Sequence, residues 1–111
     1  MEKEHDVDHL LGRSAMFEAL DADARAALAR EMRRVTYTPG QLIFSRGDPG
    51  RELYLVIAGR VRLSILSAEG RELSFAHAGP GAVFGEIAML DGKARTADAT
   101  AVGKATAMVL G

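Results

Sequence analysis

The chain has 111 residues, 48% of them apolar, a formal net charge of −1 and no cysteine. That length and apolar share give one folded domain with a modest core, and the near-neutral charge excludes a global pull towards nucleic acid or an anionic membrane. The missing thiols exclude disulfides, thiolate zinc sites and cysteine-held iron–sulfur clusters.

Residues 1–9 read as a polar leader. The start Met1-Glu2-Lys3-Glu4-His5-Asp6 lacks the apolar core of a signal peptide. No apolar run approaches the ~20 residues of a membrane helix, so a soluble, cytoplasmic protein with no membrane partner is expected. A domain then runs over residues 10–111, with helices over about 10–33. Leu10, Leu11, Met16, Phe17 and Leu20 fall in rough helical register, with Gly12 as a break. Asp21 is a good N-cap for a second helix from Ala22 to Arg33, and Asp23 sits near its positive end. Ala24, Ala27, Leu28, Glu31 and Met32 outline its packing stripe. The small residues there predict close packing on something larger.

The period then changes. Val35-Thr36-Tyr37-Thr38 reads as a strand, Pro39-Gly40 as a turn and Leu42-Ile43-Phe44 as a short strand. After the turn Gly47-Asp48-Pro49-Gly50, a buried strand runs from Glu52 to Ala58 and is punctuated by Gly59. Val61, Leu63 and Ile65 then alternate with Arg62 and Ser64. Ala68-Glu69-Gly70 makes a hairpin into Arg71–Ala78, where Leu73, Phe75 and His77 are expected on one face. Gly79-Pro80-Gly81 turns again. Thr96–Ala101 and Ala105–Leu110 read as the last strands. Short strands with glycine turns at regular spacing predict a sandwich or barrel with the helices packed on it.

Most of the chemistry is concentrated between Val83 and Ala97. Gly85 permits a sharp turn and close approach of backbone to a ligand. Glu86 to Leu90 has the length of one or two helical turns, whose free N–H groups suit an anion. Arg95 adds a permanent charge and a planar fork matched to phosphate. Thr96 adds a hydroxyl, and Glu86 a carboxylate acceptor. A cyclic nucleotide needs both signs of charge, since its phosphate is an anion and its ribose 2′-hydroxyl donates.

Phe84-Gly85-Glu86-Ile87-Ala88 and Arg95-Thr96-Ala97, with nine positions from Glu86 to Arg95, resemble the two ends of the phosphate-binding cassette of the cyclic-nucleotide-binding domain. The likeness extends through Tyr37-x-Pro39-Gly40, Ile43-Phe44-x-x-Gly47-Asp48 and Leu53-Tyr54-Leu55-Val56-x-x-Gly59-x-Val61. It implies a mainly β fold: a double-stranded β-helix, or jelly-roll, with N-terminal helices and a short helix in the cassette. The leading helices resemble those of bacterial Crp/Fnr regulators of the catabolite activator protein type. In that family a dimerisation helix and a DNA-binding domain follow, and the chain is read as stopping before them. The full-length protein is then expected to bind DNA and to be capable of forming a homodimer, whereas this piece binds no nucleic acid. A C-terminal helix closes the base side in such proteins, which predicts weak binding without it.

The resemblance implies that Arg95 pairs with the cyclic phosphate and that Glu86 accepts from the ribose 2′-hydroxyl. Gly85, Ile87 and Ala88 act through backbone N–H groups. Thr96 touches the phosphate and is compatible with guanine, which leaves cAMP and cGMP both open. Leu63 and Phe75 fall on expected inner faces, where they line the sugar or base pocket or simply pack in the core. Plainer readings stand beside these: a solvated arginine for Arg95, a helix-dipole acid for Glu86 and a strand former for Thr96. His77 as a haem ligand is the weaker alternative to a packed histidine. Arg30, Arg33 and Arg34 read as a helix-end cluster. No nucleophile–base pair or metal cluster stands out, so the expectation is a sensory domain rather than an enzyme, with cAMP or cGMP as ligand and no cofactor. The alternatives are a same-fold regulatory or interaction domain that has lost nucleotide binding or senses another effector, and the sensor of a channel or kinase. Intact Glu86 and Arg95 argue against loss of binding.

Overall fold

The Asp21 carboxylate accepts the backbone N–H of Ala24 at 2.8 Å and so starts helix α1, Ala22–Glu31. The computed structural model describes residues 19–85 and 94–111. The expected helix before Leu20 and the expected cassette helix from Glu86 to Leu90 lie outside the described residues. α1 ends two residues before the expected Arg33, because Met32 turns extended and the next residue enters a strand. Its packing stripe also differs from the sequence reading. Ala29 and Met32 are buried, with Leu28 beside them, against Leu53, Leu55 and Met108, whereas Ala24 and Ala27 are exposed.

Among the described residues six strands follow: β1 (Arg33–Tyr37), β2 (Leu42–Phe44), β3 (Leu53–Leu66), β4 (Glu72–Ala78), β5 (Val83–Phe84) and β6 (Asp98–Leu110). Every pairing is antiparallel. The long strands β3 and β6 form the spine. β6 carries β1 and β2 on its other edge, and β3 carries β5 and β4 on its own. The expected break at Gly59 is instead a bulge inside one strand. The register of β3 against β6 shifts between Val56 and Arg60, and Gly59 has φ +76°. A Cβ there would lie 2.3 Å from the Lys104 carbonyl, so only glycine fits the bend.

Alternation sends successive side chains of β3 to opposite faces. Leu53 and Leu55 meet α1 and Met108, while Tyr54 and Val56 meet Phe84 and Val109 on the other side. Leu53–Val56 is therefore buried on both faces. A third cluster joins Tyr37 to Ala101, Ala105 and Ala107, where small residues let the strands approach closely.

A second bulge corrects the face assignment in β4. The register passes from Ser64 opposite Ser74 to Leu63 opposite Ala76, which leaves Phe75 without an opposite number. His77 then sits opposite Arg62, and Ala76 and Ala78 occupy the Leu63 and Val61 positions. Leu73, Phe75 and His77 do not continue one regular face. Phe75 is 61% exposed rather than on a packed inner face. His77 is exposed too, so neither expected reading of it, packed or ligating on an apolar face, describes its place.

Candidate functional site

The candidate site is built around Arg95. Its backbone is pinned first: Arg95 N–H donates to the Asp48 carbonyl and Gly47 N–H donates to the Arg95 carbonyl, both at 2.8 Å. The turn Ser45–Asp48 that does this is closed by the Asp48 carboxylate, which accepts the Ser45 N–H at 2.9 Å. A bridge between Pro49 and Ala94 extends the same contact.

Arg95 is only 5% exposed, which rules out the solvated-arginine reading. Nη1 donates to the Gly85 carbonyl at 2.8 Å, and Nη2 to the Glu52 carbonyl at 2.7 Å. The guanidinium lies over the Phe44 ring, 4.2 Å from its centroid, and 5.6 Å from that of Tyr54. The chain has four Phe and two Tyr. Phe44, Tyr54 and Phe84 are gathered here, with Tyr54 and Phe84 stacked at 4.7 Å. This aromatic floor belongs to β2, β3 and β5, so the strand core itself carries the guanidinium.

Gly85 is required by two constraints at once. Its φ is +84°, and a Cβ would lie 2.7 Å from Arg95 Nη1, 3.0 Å from Tyr54 Cδ1 and 3.1 Å from the Glu52 carbonyl. The close approach predicted for Gly85 thus serves Arg95. Among the described residues, Arg95 Nε–H is buried without an acceptor. A buried, permanently charged group with a spare donor is costly alone and is relieved by an anion.

A cleft of about 650 Å³ opens beside this group, lined by Arg95, Phe44, Tyr54, Glu52, Asp48, Pro49, Ile43, Arg33, Arg51 and Gly111. Arg33 at the start of β1 forms an ion pair with the Glu52 carboxylate, whose other oxygen accepts the Tyr54 hydroxyl at 3.2 Å. Arg33 is thereby a strand residue with a specific partner, not part of a helix-end cluster. The hydrogen bond from Arg33 holds Glu52 below its ordinary carboxylate range, and the same bond raises Arg33. Burial, and then the Glu52 charge, push the Tyr54 hydroxyl up to about 12, so it stays a donor at neutral pH.

Of the expected site residues, the structure brings Arg95 and Gly85 together. Thr96 is exposed and does not line the cleft. Leu63 packs against the Val61 and Ala78 core cluster, and Phe75 stands in the open; neither lines the cleft. Glu86, Ile87 and Ala88 lie outside the described residues. Phe44, Tyr54, Glu52 and Arg33 are not among the site residues expected from the sequence. The aromatics carry a weak signal, as the alternate residues of apolar strands. For Glu52 and Arg33, 19 positions apart, the sequence carries none. Among the described residues no group of His, Asp and Glu is arranged to hold a metal ion, and no helix is long and apolar enough to cross a membrane.

A family model described as the cyclic nucleotide-binding domain matches residues 34–111. The chain is 33% identical over 96 residues to a CRP-like cAMP-activated global transcriptional regulator of Mycobacterium tuberculosis, covering 86% of this chain and 43% of that protein. It is similar to the N-terminal domain of a transcriptional regulator from Streptomyces coelicolor, with a TM-score of 0.88 and 39% identity over 92% of this chain and 73% of that one. It also superposes on the regulatory domain of Toxoplasma gondii PKA, crystallised with cAMP, with a TM-score of 0.93 and 29% identity over 99% of this chain and 43% of that one. The chain thus spans less than half the length of the Mycobacterium regulator. These neighbours carry the jelly-roll expected from the sequence. With a family model over most of its length and a fold to match, the chain belongs to the cyclic nucleotide-binding domain family and is homologous to CRP-like transcriptional regulators.

Proposed function

We propose that this domain is the sensor of a transcriptional regulator, binding cAMP or cGMP with the phosphate at Arg95. The observation that carries the reading is the buried Arg95 guanidinium with a donor to spare beside an open cleft. Glu86 would accept from the ribose 2′-hydroxyl, with backbone N–H groups of Gly85, Ile87 and Ala88 and the Thr96 hydroxyl completing the phosphate contacts. Leu63 and Phe75, which lie beyond the cleft itself, would border the sugar and base where the nucleotide extends past it. The similarity to a cAMP-activated regulator supports cAMP as the first ligand to test. In the full-length protein, binding shifts the cassette and whatever output segment it contacts, by no more than the ligand's differential affinity for the two states. DNA binding and dimerisation are functions of that longer protein, and a cytoplasmic location fits them. The domain itself is regulatory and performs no catalysis.

Calorimetric titration with cAMP and cGMP tests this. A charge-assisted hydrogen bond is worth on the order of 1.5–3 kcal/mol, so Arg95→Ala should weaken binding about ten- to a hundredfold or more. Equal binding by wild type and variant, or no binding of either nucleotide, would overturn the reading. Recovery of the nucleotide intact after incubation separates a sensor from a phosphodiesterase.

A further inference from the structure

The Arg95 guanidinium rests on the Phe44 and Tyr54 rings of β2 and β3 and on two carbonyls, those of Gly85 and Glu52. Both carbonyls belong to residues just outside strands, Gly85 after β5 and Glu52 before β3, and of the two only Glu52 has a side chain that can anchor it. A carbonyl in a connecting segment holds its direction only when its residue is anchored. Glu52 is anchored through its side chain, with one oxygen taken by Arg33 of β1 and the other by the Tyr54 hydroxyl. Gly111 packs on the same side chain, close enough that a Cβ there would lie 3.0 Å from Glu52 Cγ. Four parts of the chain therefore meet at one acidic residue whose backbone holds the proposed phosphate ligand.

We propose that Glu52, clamped by Arg33 and Tyr54, is the positioning residue that aims Arg95 at the phosphate. The proposal rests on the functional reading above. Glu52 acts through Arg95 and does not touch the nucleotide. A bystander carboxylate beside an anion site repels the anion, and its removal tightens binding. A positioning residue does the opposite, because loss of the clamp frees the carbonyl and lets the Arg95 fork rotate away from its productive aim. The sign of the change in affinity therefore separates the two roles.

The test combines cAMP titration with the Arg95 Nε–H signal in ¹⁵N–¹H spectra of the ligand-free protein. The proteins are wild type, Glu52→Ala, Arg33→Ala, their double variant, Arg33→Lys, and Arg95→Ala to assign the signal. Expected are about three- to tenfold weaker binding in Glu52→Ala and a smaller loss in Arg33→Ala. The double variant should be no worse than Glu52→Ala, since residues sharing one interaction are non-additive. Arg33→Lys should restore part of the Arg33→Ala loss. The Arg95 Nε–H signal should shift in Glu52→Ala and Arg33→Ala before any ligand is added. Unchanged or tighter binding in Glu52→Ala, additive losses, or an unmoved Nε–H signal would each overturn the clamp. If wild type binds neither nucleotide, the functional reading falls by itself. The ligand-free spectra then still decide the clamp, a shift upholding it and an unmoved signal overturning it.

Discussion

β3 is one strand with two environments. From Leu53 to Val56 it is buried on both faces, by α1 and Met108 on one side and by Phe84 and Val109 on the other. From Val61 to Leu66 it pairs with β4, and its apolar residues reach the surface at Ile65 and Leu66, near Leu73 and Phe75 of the partner strand. Both halves are rich in branched apolar residues, so composition does not separate them. What separates them is cover: the helix lies over the first half only. Arg95 belongs to the covered end, where a guanidinium can be held by rings and carbonyls without competition from water. The expected base-side residue Phe75 belongs to the open end.

The largest expected contrast comes from truncating one leucine in the covered half of β3 and one on β4, the partner of its open half. Leu55 is 0% exposed and Leu73 is 50% exposed. Leu55→Ala leaves a cavity under α1 and should cost about 2–5 kcal/mol, whereas Leu73→Ala should stay within about 0.5 kcal/mol. Urea denaturation of both variants checks this, and equal losses would mean that the hairpin end is covered in solution.

Gly85→Ala strikes the covered end at the site itself. The residue would be forced into a left-handed conformation costing about 1–2 kcal/mol, and its methyl would press on Arg95 Nη1, Tyr54 and the Glu52 carbonyl. The expected result is a lower melting temperature together with weaker cAMP binding. Stability loss without any change in affinity would show that the Gly85 contact does not place Arg95.

The Arg33–Glu52 pair gives a smaller effect with a pH signature. Glu52 is held below its ordinary 4.5, chiefly by the hydrogen bond from Arg33. Its contribution is therefore complete above that value and is lost as pH falls through the lower folded value. Both side chains are partly in solvent, and exposed pairs are worth at most about 1 kcal/mol. Thermal melts of wild type and Glu52→Gln should differ most at pH 7 and converge towards pH 3. A constant gap across that range would remove the carboxylate's charge from the account.

These contrasts also show which parts of the molecule can be read from the chain. Asp21 as a cap, the turns at Gly40, Gly47 and Gly70, and the Gly85 turn are local: each follows from one residue's conformational preference or side-chain reach. The two ends of the cassette are legible as a resemblance to a family motif, and of them the structure describes Phe84-Gly85 and Arg95-Thr96-Ala97. Bulges are not local in this sense. A single unpaired residue at Phe75 moves His77 to the other face, and nothing in the alternation of Glu72–Ala78 reports it. Gly59 reads as a strand end because the sequence does not show Lys104 lying against it. Glu52 was invisible as a support for Arg95, since both its clamp and its load depend on long-range pairing across the sheet.

Phe75 offers the sharpest test of the open end, because stability and affinity are expected to part company there. At 61% exposure it contributes little packing, so Phe75→Ser should move the urea midpoint by no more than about 0.5 kcal/mol. Leu63 sits 12 positions earlier on the neighbouring strand, packed against Val61 and Ala78, and Leu63→Ala should cost about 2–5 kcal/mol if it behaves as a core leucine. If Phe75 borders the nucleotide, Phe75→Ser should weaken cAMP binding several-fold at unchanged stability, whereas Leu63→Ala should lower both. Should Phe75→Ser leave affinity as well as stability untouched, the base side of the site lies elsewhere, and the covered end, with Arg95 on its aromatic floor, would account for all the recognition this domain performs.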